Sequence, residues 1–382
     1  MTLPFIPINS SVQLQQNDND VLDFVKKHAT FDFTFLQVKS SITILDTPHN
    51  WLVNLSNGII KKLQQKKSFV IIDFSMEGFG TSVPAIKHLY YTLECNNIPP
   101  SQLIYFTSNF KDADNISAYC KQHNKQPIRY HTVSRFEKVT PVSCDSEWDG
   151  WKKHAYTPET IFVALSRVNR PWRSKMQWKL QSTLGDYGWI SHNNAEDTYG
   201  LGDVAKNTQE EIEFSTWAKT NLPLLVDTTD FDDVMTRVDP GNIFERSVFH
   251  IANESAVDND NNTSKFITEK SFKSMMFWQP VIIWGQQGIN QFLHTLGYKT
   301  YEDWFDLSFD NIEDNQTRFE AALSSIHSTV NSLCKMNTQD KIKWKNKNAE
   351  LLDFNRNKLI TYKYEHSPLM DFIKDLNCDN ST

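Results

Sequence analysis

The sequence predicts an α/β protein of two parallel-sheet domains with long helices toward its C-terminal end, and three observations carry this expectation. Short continuous apolar runs, such as FVIIDF at Phe69–Phe74 and IFVALSR at Ile161–Arg167, have the length and composition of strands covered on both faces. These runs alternate with helix-period segments in two separate series, as βαβ units require. Beyond Asp310 the strand pattern stops and the amphipathic pattern lengthens. A chain of 382 residues also favours two domains over one.

Taken in order, residues 1–30 read as a polar lead-in. Trp51, Leu52, Leu55, Ile59, Ile60 and Leu63 fall on one face of a helix expected at about His49–Gln65. The strand Phe69–Phe74 then enters a Gly-containing loop at Ser75–Gly80 and a helix at Val83–Cys95. A strand at Leu103–Asn109, a helix at Ala113–His123 and a strand at Ile128–Phe136 complete the first series. The stretch Glu137–Pro158 lacks a period, carries prolines and reads as a linker, which sets the domains at 1–150 and 151–335 with a helical extension at 336–382. The second series comprises strands at Ile161–Arg167, Trp189–Ser191, Leu222–Val226, Val248–Ala252 and Val281–Trp284. Helices are expected near Ser174–Leu184, at Gln209–Lys219, and after Thr268. Gln316–Leu333 and one long segment at about Asp340–Tyr364 follow as helices.

Composition excludes several classes. A formal net charge of -7 provides no global basic field for nucleic acid or anionic membrane. The five cysteines are dispersed without a CxxC pair, so reduced thiols, no zinc cluster and a cytoplasmic setting are expected. No apolar run reaches the length of a membrane span, and the first residues lack the basic and apolar regions of a signal peptide. A strip from Lys335 to Lys363, interleaved with Trp344, Phe354 and Tyr362, fits either a solvated helix face or a track for a nucleic-acid backbone.

Three segments of the second series place chemistry where strands deliver residues to a ligand crevice. SRVNRPWR at Ser166–Arg173 supplies Arg167, Arg170 and Arg173, whose guanidinium forks suit a diphosphate. HIANES at His250–Ser255 ends a strand on Asn253, Glu254 and Ser255. In the third, Thr268 is an N-cap and Lys270 is a cation in a first helical turn, where the dipole disfavours it unless an anion docks. Glu269 stands between them, placed to bond a ribose or sugar hydroxyl.

In order and spacing these segments resemble the alpha-1,3-fucosyltransferase family and related glycosyltransferases of large bacteriophages. The family pattern sets an Arg seven positions after a Ser, then Phe-Glu-Asn-Ser, then Tyr-Val-Thr-Glu-Lys, a helix, and a Pro-Val-Val-x-Gly strand. Here Ser166 precedes Arg173 by seven, followed by Ala252–Ser255, Phe266–Lys270 and Pro280–Gly285. The match covers about 161–285. The family's Glu-Asn order is reversed in Asn253-Glu254, which leaves the sugar and the base open.

The resemblance implies two Rossmann-like domains of GT-B type and transfer of a sugar from a UDP- or GDP-linked donor to an acceptor hydroxyl. It implies no metal and no cofactor beyond that donor. Arg170, Arg173, Lys270 and Thr268 would bind the donor diphosphate, and Asn253, Glu254, Ser255 and Glu269 its sugar and nucleoside. The first domain would hold a glycan or a modified nucleic acid, with Glu77 in the loop after Phe69–Phe74 as catalytic base and Asp73 as the alternative. His88 and His131 are further candidates. Two other readings are a phage-type enzyme acting on hydroxymethylated DNA bases, inside a bacterial host, and a non-catalytic sugar-nucleotide or glycan-binding protein.

Overall fold

The computed structural model describes residues 20–37, 55–75, 83–144, 157–166, 170–192, 200–224, 226, 243–257 and 265–379. The chain divides into two compact units. One comprises Met1–Arg135, Asp260–Phe266 and Tyr362–Thr382; the other comprises Phe136–Asn259 and Ile267–Thr361. The expected boundary at 150 thus moves to Arg135, and the expected extension at 336–382 is shared between the units at Thr361.

In the first unit the strands β1 (Phe33–Gln37), β2 (Phe69–Phe74), β3 (Leu103–Thr107) and β4 (Arg129–Thr132) form a parallel sheet in sequential order. Because each crossover advances in the same direction, right-handed connections put α2 (Asn57–Gln64), α3 (Val83–Cys95) and α4 (Asp112–His123) on one face. The cores follow that rule. Val70, Ile72 and Phe74 pack with Leu63, Leu89, Leu93 and Ile116. Phe69 and Ile71 point the other way, toward Val21 and Val25 of α1 (Asp20–His28) and Leu369 and Ile373 of α13 (Pro368–Asp379). Alternate residues of FVIIDF therefore serve two different cores, which is why the strand is buried throughout and apolar apart from Asp73.

In the second unit β5 (Thr160–Ser166), β6 (Gly188–His192), β7 (Ser247–Asn253) and β8 (Val281–Trp284) form a parallel sheet of order β6-β5-β7-β8. The expectation of two parallel α/β sheets is met. Here the order reverses: β5 connects outward to β6, and the chain then returns across β5 to β7 and β8. The helices are α6 (Pro171–Leu184), α7 (Thr208–Asn221), α8 (Glu269–Met276), α9 (Ile289–Thr295), α10 (Asn315–Leu333), α11 (Thr338–Asn346) and α12 (Ala349–Ile360). Lys175 pins α6 from within, its buried ammonium donating to Val204 O at 2.7 Å, Glu210 at 2.8 Å and Gln316 at 2.8 Å. Trp172, one turn earlier, packs edge-on against Trp284 with ring centroids 5.9 Å apart.

Several expectations shift. The lead-in contains α1, and β1 follows it. The expected linker begins as a helix, α5 (Arg135–Cys144), which runs through Pro141. The expected strand at Leu222–Val226 is a single antiparallel bridge between Leu224 and His192. The long C-terminal helix is two, because the Asn348 side chain accepts from Leu351 N at 3.1 Å and starts α12 afresh. Among the described residues no helix is long and apolar enough to cross a membrane.

Two glycines give a paired prediction. A Cβ at Gly188, where β6 begins beside β5, would lie 2.1 Å from the Phe162 ring, whereas one at Gly58 in α2 meets nothing closer than 3.9 Å. Gly188→Ala is expected to lower unfolding free energy by about 2 kcal/mol through overpacking. Gly58→Ala should raise it by roughly 0.5 kcal/mol through helix propensity and unfolded-chain entropy. Urea unfolding of the two variants beside the parent checks both signs.

Candidate functional site

The reversal of strand order makes a topological switch point between β5 and β7, the position at which open α/β sheets receive ligands beyond the carboxyl ends of their strands. Ser166 ends β5 and Asn253 ends β7. Continuing the register Phe162↔Phe249 and Val163↔His250 sets these two residues side by side. Ser166 pairs in turn with His192 of β6, and Asn253 with Trp284 of β8. His192, Ser166, Asn253 and Trp284 thus form one row across the carboxyl edge of the sheet. Sequence reasoning gave no role to His192 or Trp284, because a row across four strands needs the strand order.

The chain leaves β5 and starts α6 at Arg170, its N-cap, with Pro171 in the first turn, no acidic residue there and no side-chain cap. This is a helix N-terminus with its positive end unopposed by local carboxylates. Arg170 Nη1 donates to Ser255 O at 2.8 Å, and Arg173 Nη2 donates to Ser255 Oγ at 3.0 Å. Both guanidinium groups therefore converge on the residue two beyond β7. Burial pulls the Arg173 pKa down to about 10, and neighbouring Arg170 adds to the fall; Glu254 and Glu269 oppose it, so the group stays cationic at neutral pH.

Glu254 is 1% exposed and its carboxylate is consumed within the fold. It accepts from Thr268 N at 3.1 Å, Thr268 Oγ1 at 2.8 Å and Ser271 Oγ at 2.6 Å, and it receives Ser255 N at 3.3 Å. A buried carboxylate thereby closes the N-terminus of α8. Thr268 is the N-cap as its type predicts, accepting from Lys270 N at 3.3 Å. Lys270 Nζ donates to Glu269 Oε1 at 2.5 Å and to Thr268 Oγ1 at 3.3 Å. Burial raises the Glu269 pKa, but the charges of Lys270 and Lys273 and the bond from Lys270 outweigh it and hold the group down at about 2. The cation that the sequence left opposing its helix dipole thus carries its own counter-ion. Of the two helix ends, the one with no acidic residue in its first turn is that of α6.

The row itself has a different character. Among the described residues, both imidazole nitrogens of His192, Ser166 Oγ, both ends of the Asn253 amide and the Trp284 indole N–H are buried without a hydrogen-bond partner. The Ser166 backbone acts on the charge of His192 but makes no hydrogen bond of normal geometry with its ring.

Of the residues expected in the first unit, Glu77 lies outside the described residues, as does Arg167 in the second. Asp73 ends β2 one residue early and is buried. Its carboxylate accepts from Ser75 N at 3.0 Å and faces Arg135 at 3.6 Å, and Arg135 also pairs with Asp20 at 3.0 Å. His131 stacks on Phe372 at 5.0 Å, and His88 is half-buried on α3. Among the described residues no three His, Cys, Asp or Glu side chains group closely enough to hold a metal ion.

The basic strip is divided between α11 and α12. Lys345 is 2% exposed and burial pulls its pKa down to about 7, with Glu245 opposing the fall. Lys347 lies over the rings of Trp344 and Trp304, and Arg356 donates to Met276 O at 3.1 Å. Lys345 and Arg356 are thus engaged by the fold, whereas Lys335, Lys343, Lys347 and Lys363 stay exposed.

Two buried histidines and the half-buried His131 predict acid sensitivity. Burial lowers the pKa of His131 to about 4; burial and Arg173 lower His192 to about 4; burial and Lys273 lower His250 to about 3. All sit below the unfolded value of 6.5, so the unfolded chain binds protons first as pH falls. Their stabilising effect is complete above pH about 6.5 and is lost as pH falls toward 4, at roughly 2–3 kcal/mol for each group. Glu269 adds to the loss only below its ordinary range. Melting temperatures measured from pH 7.5 to 4 should be level at first and then drop steeply.

No family model and no curated protein matches the chain. Among solved structures the chain is similar to one from the crystal structure of the GtfA/B complex, at a TM-score of 0.39 and 8% identity, with 94% of this chain and 59% of that chain covered.

Proposed function

We propose that the protein is a nucleotide-sugar-dependent glycosyltransferase of GT-B type whose donor diphosphate lies at the β5–β7 switch point, on Arg170, Arg173 and the N-terminal end of α6. The observation that carries this reading is the convergence of two arginines on Ser255 beside a helix end with no acidic residue in its first turn. Guanidinium forks and the positive end of a helix dipole together stabilise the charge that gathers on a departing diphosphate. Lys270, paired with Glu269, adds a weaker contribution, and Thr268 acts by capping α8. Such a site needs no metal to stabilise the leaving group. The donor is a UDP- or GDP-linked sugar. The acceptor is a hydroxyl on a glycan or a modified nucleic acid, and Glu77 is the proposed general base.

A thermal-shift screen across UDP-, GDP-, ADP- and CMP-sugars tests the reading. One nucleotide series should raise the melting temperature by an amount that grows with the logarithm of ligand concentration. Slow release of free sugar without acceptor should accompany it and exclude a purely binding role. No shift with any series at millimolar concentration would overturn the assignment.

A further inference from the structure

Glu254, Ser255 and Glu269, three of the four residues expected on the sugar and nucleoside side, spend their polar groups inside the fold. Only Asn253 keeps both ends of its amide unused, and it does so in the row with Ser166, His192 and Trp284. A buried polar atom without a partner costs free energy, and one fold edge here carries six of them on four consecutive strands. Their chemistry is mixed. The serine donates and accepts, the amide offers two donors and an acceptor, a neutral imidazole offers one of each, and the indole donates. None carries charge. Burial and the neighbouring Arg173 keep His192 in its neutral form at neutral pH, with a pKa of about 4. An anion would call for donors alone. Groups that donate and accept by turns match vicinal hydroxyls.

We propose that His192, Ser166 and Asn253, with the Trp284 indole at the outer end, form a subsite for a neutral, hydroxyl-rich ring attached to the diphosphate. The inference rests on the donor reading given above. Two sources share that chemistry, the ribose and the transferred sugar of a sugar nucleotide. The position supports the assignment: the row lies on the strand ends at the switch point, and the charge of Arg173 acts directly on His192. Ser166 and Asn253 thus become specificity residues that bind the uncharged half of a ligand whose charged half the arginines hold.

Ser166→Ala and Asn253→Leu, which keep shape and remove the unused groups, test it. Affinities of parent and variants are compared for inorganic pyrophosphate, for the nucleoside diphosphate and for its sugar nucleotide, beside ligand-free melting temperatures. Both variants should melt at or above the parent temperature, because each removes an unpartnered buried group. Pyrophosphate affinity should stay within about twofold, and sugar-nucleotide affinity should fall about tenfold in each variant, the worth of one or two hydrogen bonds. A fall shared by the nucleoside diphosphate puts the row on the ribose; a fall confined to the sugar nucleotide puts it on the sugar. Unchanged affinity for both nucleotides would overturn the proposal and mark the row as a site for internal water. Equal loss of pyrophosphate would overturn it as well, by showing that the anion site collapsed. A parent that binds none of the three ligands would instead remove the donor reading on which the proposal depends.

Discussion

Replacement of Arg173 by alanine is expected to lower kcat/KM for a sugar-nucleotide donor by about 10²–10³-fold, the effect of deleting one charged donor from the stabilisation of a developing anion. Arg173 is 2% exposed, stays charged in that setting, and aims one nitrogen at Ser255 Oγ, 3.0 Å away. Lysine should not restore the activity, since a single ammonium cannot reproduce the planar fork. Lys270→Ala should cost far less, about tenfold, because Lys270 is paired with Glu269 at 2.5 Å and part of its charge is already spent. Steady-state kinetics of the three variants decide the matter. Equal losses at positions 173 and 270 would return the diphosphate to the end of α8.

The second large effect falls on a residue that touches no ligand in this account. Glu254→Gln should lower unfolding free energy by about 3 kcal/mol, because three donors from Thr268 and Ser271 lose a charged acceptor in a buried setting. The amide that replaces one oxygen would face a donor. The end of α8 should loosen first, so amide exchange at Thr268 and Lys270 should accelerate more than exchange in β7. Urea unfolding measures the first quantity and hydrogen exchange the second. Sugar-nucleotide affinity should fall as well, because the segment Glu254–Ser255 sets the oxygen on which Arg173 is aimed. Gly285 belongs to the same packing: a Cβ there would lie 3.1 Å from Glu254 Cβ, which is why the strand β8 is followed by glycine.

Local features of the site were legible from sequence and long-range ones were not. The strands Phe69–Phe74, apolar but for Asp73, and Val281–Trp284 show themselves as apolar runs, because each is covered on both faces. Thr268 announces its role through the chemistry of one hydroxyl at a helix start. β1 escaped detection because FTFLQ is five residues long and its apolar alternation is too short to stand out beside the polar stretch before it. α5 was read as linker because Pro141 lies within it, although a proline removes only one helical hydrogen bond when the rest of the turn holds. Glu254 illustrates the harder limit. Its type and place suggested a sugar ligand, yet its partners Thr268 and Ser271 lie 14 and 17 residues further on, at a separation no periodicity encodes. The row of His192, Ser166, Asn253 and Trp284 depends wholly on strand order and register, and these follow only from the folded sheet.

The diphosphate proposed at the switch point of the second sheet is tested most directly by a crystal structure with the sugar nucleotide selected by the thermal-shift screen. Diphosphate density is expected at the N-terminal end of α6, with oxygens within about 3.2 Å of the Arg170 and Arg173 guanidinium groups. Density for the diphosphate against the first sheet, or at the capped end of α8 with neither arginine in contact, would contradict it.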